Sequence, residues 1–337
     1  MSKKEEFKSW SLEYTDYDPK KEKSRETLLA VGNGYLGTRG VLPETTASDT
    51  NYPGTYIAGL YNRLISKVAD RDIENEDFVN IPNWLFINFR IEKGDWFDIN
   101  GVEIISIKRH LNFANGLLET NLIVKDRTGL ETKISSKIVA SMANRHLAAI
   151  QYKVKSLNYS GQIEIKSEID GNIINDGVTR YRDLNQQHLN PVAEGDDNEI
   201  SWLAVKTTQS EIEIAEAVKH SVYKNKNLVD VEVSKTNSSG KISTGFKINL
   251  NENEEVTIEK IVAIFTSKND DVKEPLKSSI DLAKTAGTFD SIVKESEVEW
   301  GKIWNKIDIQ IEGDPKSQML VRLHLYHLMV TASPNNV

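Results

Sequence analysis

The chain has 337 residues, 39% of them apolar, enough to bury a full core with a smaller element beside it. Its 50 acidic and 42 basic residues leave a net charge of −8, which argues against a nucleic-acid partner because phosphate binding needs a concentrated basic face. A mean hydropathy of −0.45, with no apolar run near the roughly 20 residues of a spanning helix, argues against an integral membrane protein. The absence of cysteine excludes disulfides, thiolate zinc sites and a thiol nucleophile.

The first residues, MSKKEEF, lack the apolar stretch of a signal peptide, so a cytoplasmic protein is expected. Glu13, Asp16 and Asp18 lie among Trp10, Tyr14 and Tyr17, acids and rings of the kind a glycosidase uses; surface or packing roles are the plainer reading. The run GNGYLG at 32–37 matches the dinucleotide fingerprint by letter. That fingerprint requires a strand before it and a helix after it, so that a helix N-terminus meets the pyrophosphate. Here TRG and Pro43 follow, without helical periodicity, and the glycines are expected to permit positive φ or close backbone approach in a packed loop. Tyr52, Tyr56, Tyr61 and Trp84 could offer rings to a sugar, although core positions suit them equally.

From about residue 84 to 267 apolar residues recur with period two, the pattern of half-buried strands. Residues 131–140, 146–155 and 254–266 are rich in Ile, Val and Thr, and 228–233 would place Val229, Val231 and Val233 on one face. Turn signals at 93–95, 100–101, 115–116, 128–129, 158–161 and 238–240 separate about a dozen strands with no helix between them. The fold class is therefore mainly β, a large antiparallel sandwich. The acidic run at 194–199 lacks calcium-loop spacing and reads as a solvated turn.

After residue 272 the period becomes helical. Leu276, Ile280 and Ala283 form one stripe, and Phe289, Ile292, Val293, Trp300, Ile303 and Trp304 a longer one. Asp314 and Pro315 are a helix start, and the following segment, 319–330, is apolar nearly all round. Such a helix is expected to be buried on all sides, by neighbours lying beyond residue 337; docking in a groove of the sandwich is the alternative. His324 and His327, three apart, could face one metal, but no third ligand or zincin glutamate accompanies them, and no metal is expected. No G-x-S-x-G elbow is present.

Four blocks together resemble the N-terminal part of glycoside hydrolase family 65, which includes the maltose, kojibiose, trehalose and nigerose phosphorylases. They are ETLLAVGNGYLGTRG at 26–40, YPGTYIAGLYN at 52–62, IDGNIIN at 169–175 with RYRDLNQQHLNP at 180–191, and 300–334 with its WGKIW and IQIEGD runs. The resemblance implies a super-β-sandwich of galactose-mutarotase-like type over 1–270, a helical linker over 271–312, and at 313–337 the first helix of an (α/α)6 catalytic barrel. It further implies an inverting phosphorolysis of an α-glucosyl disaccharide, with inorganic phosphate as co-substrate, no organic cofactor, and a possible homodimer. The barrel's general-acid glutamate would follow residue 337, so no catalytic residue is assigned. Asn33, Arg39, Tyr56, Arg63, Arg180 and His188 are the candidates for facing the substrate or the barrel. A stand-alone carbohydrate-binding module and a hydrolase using water are the rival readings.

Overall fold

The computed structural model describes residues 9–68, 70–175, 185–269 and 271–333. Alternation becomes geometry in two facing antiparallel sheets. The larger runs β1 (Ser11–Tyr14), β8 (Glu103–Asn112), β9 (Leu117–Lys125), β10 (Glu131–Ala140), β11 (Leu147–Ser156), β19 (Glu255–Thr266), β15 (Glu213–Lys224), β14 (Ile200–Thr207) and β13 (Leu189–Asp196), with β16 (Asn227–Leu228) added to β15. The smaller runs β17 (Glu232–Ser238), β18 (Lys241–Leu250), β12 (Gly161–Asp170) and β7 (Ile87–Ile91).

In β10, Ile134 and Ile138 point to the core while the alternating Lys133, Ser135 and Lys137 are half-buried, as period two requires. In β19 both faces are buried: Val256, Ile258, Val262 and Ile264 belong to the sandwich core, whereas Ile261 and Ala263 belong to a second core outside it. The expected strand at 228–233 breaks instead. Only Leu228 and residues from 232 pair; Val229 and Val231 fall between β16 and β17, where the chain leaves the larger sheet for the smaller.

Three further helices and two small sheets decorate this sandwich. Before it come α1 (Glu22–Leu28), the sheet of β2 (Val31–Gly32), β3 (Leu36–Thr38) and β4 (Thr55–Ile57), and the hairpin of β5 (Tyr61–Val68) with β6 (Arg71–Phe78). After it come α2 (Pro275–Thr285) and α3 (Phe289–Ile307). Both cover the outer face of the larger sheet, where Ala149, Ala217 and Ala263 keep the surface low enough for Ala283, Phe289 and Ile292 to pack. The buried stripe of α2 is Pro275, Ser279 and Ala283, so Leu276 and Ile280 flank the contact instead of centring it. In α3 the buried residues are Phe289, Ile292, Ser296, Trp300 and Trp304, behind an N-cap in which Thr288 accepts from Ser291 N.

The last helix, α4 (Pro315–Thr331), starts where expected: Asp314 Oδ1 accepts from Lys316 N and Ser317 N at 3.0 and 3.2 Å. Its burial is one-sided. Gln318, Arg322, Leu323, Tyr326 and Val330 lie against the chain's own sandwich, while Leu320 and Leu328 are 39% and 62% exposed. One face is thus docked on the chain's own sandwich, as the alternative reading has it, and an opposite apolar stripe faces outward. Among the described residues no helix is long and apolar enough to cross a membrane.

Candidate functional site

The N-terminal blocks converge where α1, the small sheet and α4 meet. In α1, Glu26 is fully buried, and a buried carboxylate persists only when its oxygens are satisfied. Its Oε1 accepts from Asn51 Nδ2 at 2.8 Å, and Oε2 accepts from Tyr52 N at 3.1 Å and pairs with Arg39 at 3.3 Å. Arg39 spends its other donors on Tyr52 O, Thr27 Oγ1 and Lys23 O, and lies over the Tyr52 ring at 5.4 Å. One turn earlier Glu22 receives the fully buried Arg109 at 2.6 Å and Arg25 at 3.2 Å, and Arg25 grips Asp16 with two bonds. Glu13 pairs with Lys108 and Asp18 with Lys21, so the acids near the first aromatics serve as ion-pair partners.

Tyr52 passes the connection on. Its hydroxyl lies 3.0 Å from that of Tyr56, whose ring stacks on Phe78 at 5.0 Å; burial pushes the Tyr56 phenol well above its ordinary range. Gly54 packs tightly between them: a Cβ there would lie 3.0 Å from Arg39 Cδ and 3.1 Å from Tyr56 Cε2, so one of those side chains would have to shift. Phe78 ends the hairpin, and at the hairpin's base Asn62 Nδ2 lies 3.0 Å from Nδ1 of the buried His188. The His188 Nε2 faces Asp77 Oδ2 at 3.4 Å; burial lowers the imidazole pKa more than Asp77 raises it. Arg63 stands on the hairpin's exposed face, 3.3 Å from Glu74 and 3.7 Å from Glu76.

The other end of the region is the glycine loop. Asn33 donates to Ser141 O and Arg145 O and accepts from Tyr35 N and Leu36 N, which exhausts its hydrogen-bonding capacity. Gly34 has φ +82°, and a Cβ there would lie 2.5 Å from Ala332 O; at Gly32 a Cβ would meet Leu36 O at 2.9 Å and Val330 Cβ at 3.1 Å. These glycines let β2 and its turn lie directly on α4, where Gly34 N donates to Val330 O at 3.0 Å. No helix follows, so the loop lacks the structural context of a dinucleotide site. From α4, Tyr326 Oη donates to Ala30 O at 3.2 Å, and His327 Nε2 lies 3.2 Å from Leu28 O. His324 is exposed, so the two histidines do not share one surrounding.

Arg39, Tyr56 and His188 are therefore linked through Tyr52, Phe78 and the hairpin base; Arg63 stands outside on the same hairpin, and Asn33 belongs to the α4 seat. Arg180 lies outside the described residues. Glu26, Asn51 and Asn62 hold this region together and escaped the sequence reading. Glu26 begins the first signature block, but only burial distinguishes it among 50 acids. Chemically the arrangement is a scaffold of interlocked ion pairs and hydrogen bonds, in which Arg109 Nε and His188 Nε2 are buried without a hydrogen-bond partner among the described residues. Among the described residues no group of three or more His, Asp or Glu is placed to hold a metal. The acidic turn agrees with its plain reading: Asp196 pairs with Lys235 and Asp197 with Lys284.

The whole-chain comparisons give this scaffold a lineage. A solved structure provisionally named a kojibiose phosphorylase, from the human microbiome, superposes with a TM-score of 0.81 over 95% of this chain and 41% of its own, at 21% identity, and so shares the fold. A kojibiose phosphorylase of Halothermothrix orenii is 30% identical over 97% of this chain and 41% of its own length. An uncharacterized glycosyl hydrolase of Mycobacterium tuberculosis is 35% identical over 97% of this chain and 25% of its own. The chain thus spans between a quarter and two-fifths of these relatives. Residues 12–303 match the N-terminal domain of glycosyl hydrolase family 65, and the chain belongs to that family.

Proposed function

We propose that this chain is the N-terminal sandwich and linker of an inverting phosphorylase that cleaves an α-glucosyl disaccharide with inorganic phosphate, giving β-glucose 1-phosphate and a sugar acceptor. The observation that carries this reading is identity at the 30% level to a kojibiose phosphorylase along 97% of the chain. Relatives named trehalose 6-phosphate phosphorylase and maltose phosphorylase align over similar spans, at 30% and 23% identity. In this reading α4 is the first helix of a barrel whose later residues supply the general-acid glutamate and the phosphate loops, and the disaccharide is chosen there. The sandwich contributes a platform. The outward stripe of Leu320 and Leu328 on α4 supports this division, because it offers apolar surface to further helices. The reaction is placed in the cytoplasm, where inorganic phosphate is available, with a homodimer as the working assembly.

The test is phosphate dependence of the gene's full-length product on kojibiose, trehalose, maltose and nigerose. Release of β-glucose 1-phosphate that vanishes without phosphate is expected; equal cleavage in phosphate-free buffer would make the enzyme a hydrolase. The 337-residue chain by itself is expected to turn over none of the four sugars. Reproducible turnover by that purified chain would overturn the division of labour.

A further inference from the structure

A cleft of about 640 Å³ opens elsewhere on the sandwich, lined by none of the scaffold residues named above. It lies between the loop after β7 and the turn joining β9 to β10. Phe89, Phe97, Val124 and Leu130 give it an apolar interior, with Phe89 and Phe97 stacked at 5.3 Å. Trp96 stands at the mouth, half-buried, with Arg90 and Lys166 each 4.8 Å from its ring centre. Arg90 is neutralised by Glu164 at 2.6 Å. The turn opposite is held rigid by Asp126, whose Oδ1 accepts from Thr128 N, Thr128 Oγ1 and Leu130 N; these bonds hold its carboxyl below the ordinary range.

Two charged groups at the mouth are uncommitted. Asp95 and Arg127 are exposed, line the cleft, and make no side-chain hydrogen bond or ion pair among the described residues. We propose that this cleft is an accessory binding site for a neutral oligosaccharide. A pyranose ring presents an apolar C–H face and a rim of hydroxyls, matching rings inside and a free carboxylate and guanidinium at the edge. The volume falls within the roughly 300–1,000 Å³ of small-molecule sites. A purely apolar guest would desolvate Asp95 and Arg127 without recompense. Anionic sugars are disfavoured because Asp95, Asp98 and Asp126 face the opening while only Arg127 is unneutralised. The proposal is independent of phosphorolysis, which the same chain need not perform.

The test is titration of the purified 337-residue chain with maltotriose, followed by calorimetry and by tryptophan fluorescence. Saturable binding with a Kd in the millimolar range is expected. Trp96→Ala should weaken it at least tenfold through loss of the ring. Asp95→Asn combined with Arg127→Ala, both at exposed positions that leave the fold intact, should do the same with an unchanged urea midpoint. Glucose 6-phosphate should compete at least tenfold less well than glucose. No saturable binding, binding that survives both variants, or equal competition by the phosphorylated sugar would each overturn the assignment.

Discussion

Glu216 is fully buried on the inner face of the larger sheet, and neither carboxylate oxygen has a hydrogen-bond partner among the described residues. Burial therefore holds its carboxyl well above the usual range, so the folded chain keeps a proton there that the unfolded chain releases above about pH 4.3. Lys260, also fully buried, donates to Glu168 O at 2.8 Å, and burial pulls its pKa down to about 7. The two groups tilt stability in opposite directions. Glu216 costs more as pH rises from about 4.3; Lys260 costs most below pH 7, and less as pH climbs toward the unfolded value of about 10.4. Glu216→Leu should therefore gain on the parent chain with rising pH, by up to about 1.4 kcal/mol per pH unit until the folded carboxyl ionises. Lys260→Met should show its greatest advantage at acid pH. Urea midpoints at pH 5, 7 and 9 measure both trends, and parallel curves for parent and variants would refute them. The same scale holds a sharper contrast. Gly34→Ala should cost about 2 kcal/mol, through a left-handed backbone and a collision with Ala332 O, whereas Gly37→Ala, with open space at its Cβ, should change stability by less than about 0.5 kcal/mol.

For single elements, period and capping were informative wherever one side of an element decided its fate. Residues 131–140 form β10, and Asp314 caps α4, because alternation and a side-chain acceptor act locally. The 228–233 segment misled because its valines alternate across a crossover between sheets, a fact of topology that a two-residue period cannot carry. Helix α4 was legible in its start and its apolar faces but not in its neighbours. Apolarity all round specifies two contact faces without naming the neighbours, and the chain's own sandwich supplies one of them. This separates the stripes by experiment. Tyr326→Ala, at a site of full burial stacked on Trp300 at 5.1 Å, should cost about 3–5 kcal/mol in denaturant melts. Leu328→Glu on the outward stripe should cost less than about 0.5 kcal/mol in this chain. If the outward stripe seats further helices, the same change should lower the phosphorolysis proposed above for the full-length protein. A large loss of stability from Leu328→Glu in the 337-residue chain would show that the stripe is already covered.

Across the whole molecule, the class of fold was legible because most strands from β7 to β19 repeat one local signal, but which strands adjoin was not. The pairing of β11 with β19 joins residues about 100 apart in the chain, such as Lys155 and Glu255, and nothing periodic encodes that. The scaffold around Glu26 was hidden for the same reason: Arg39, Asn51 and Tyr52 reach it from the two ends of the irregular β3–β4 connection, and only burial makes those contacts matter. The resemblance supplied the lineage that residue chemistry could not. Its division of the chain at residue 270 has a physical consequence, because α2 and α3 do more than connect. Ala283, Phe289 and Ile292 cover Leu117, Val139, Leu147, Ile200 and Ile261 on the outer face of the larger sheet. Trp300 and Trp304 join the sandwich core itself, with Trp304 Nε1 donating to Phe113 O at 2.8 Å and Gly116 held at φ +67° beneath the Trp300 indole. A sandwich cut after residue 270 would expose a continuous apolar sheet face and lose two buried indoles, each worth about 3–5 kcal/mol when removed. The 1–270 fragment should therefore bind a hydrophobic dye and aggregate, while the 337-residue chain stays soluble and melts cooperatively. Size-exclusion chromatography with dye fluorescence compares them directly, and a soluble, dye-silent 1–270 fragment with a sharp melt would show that the linker helices are dispensable to the sandwich.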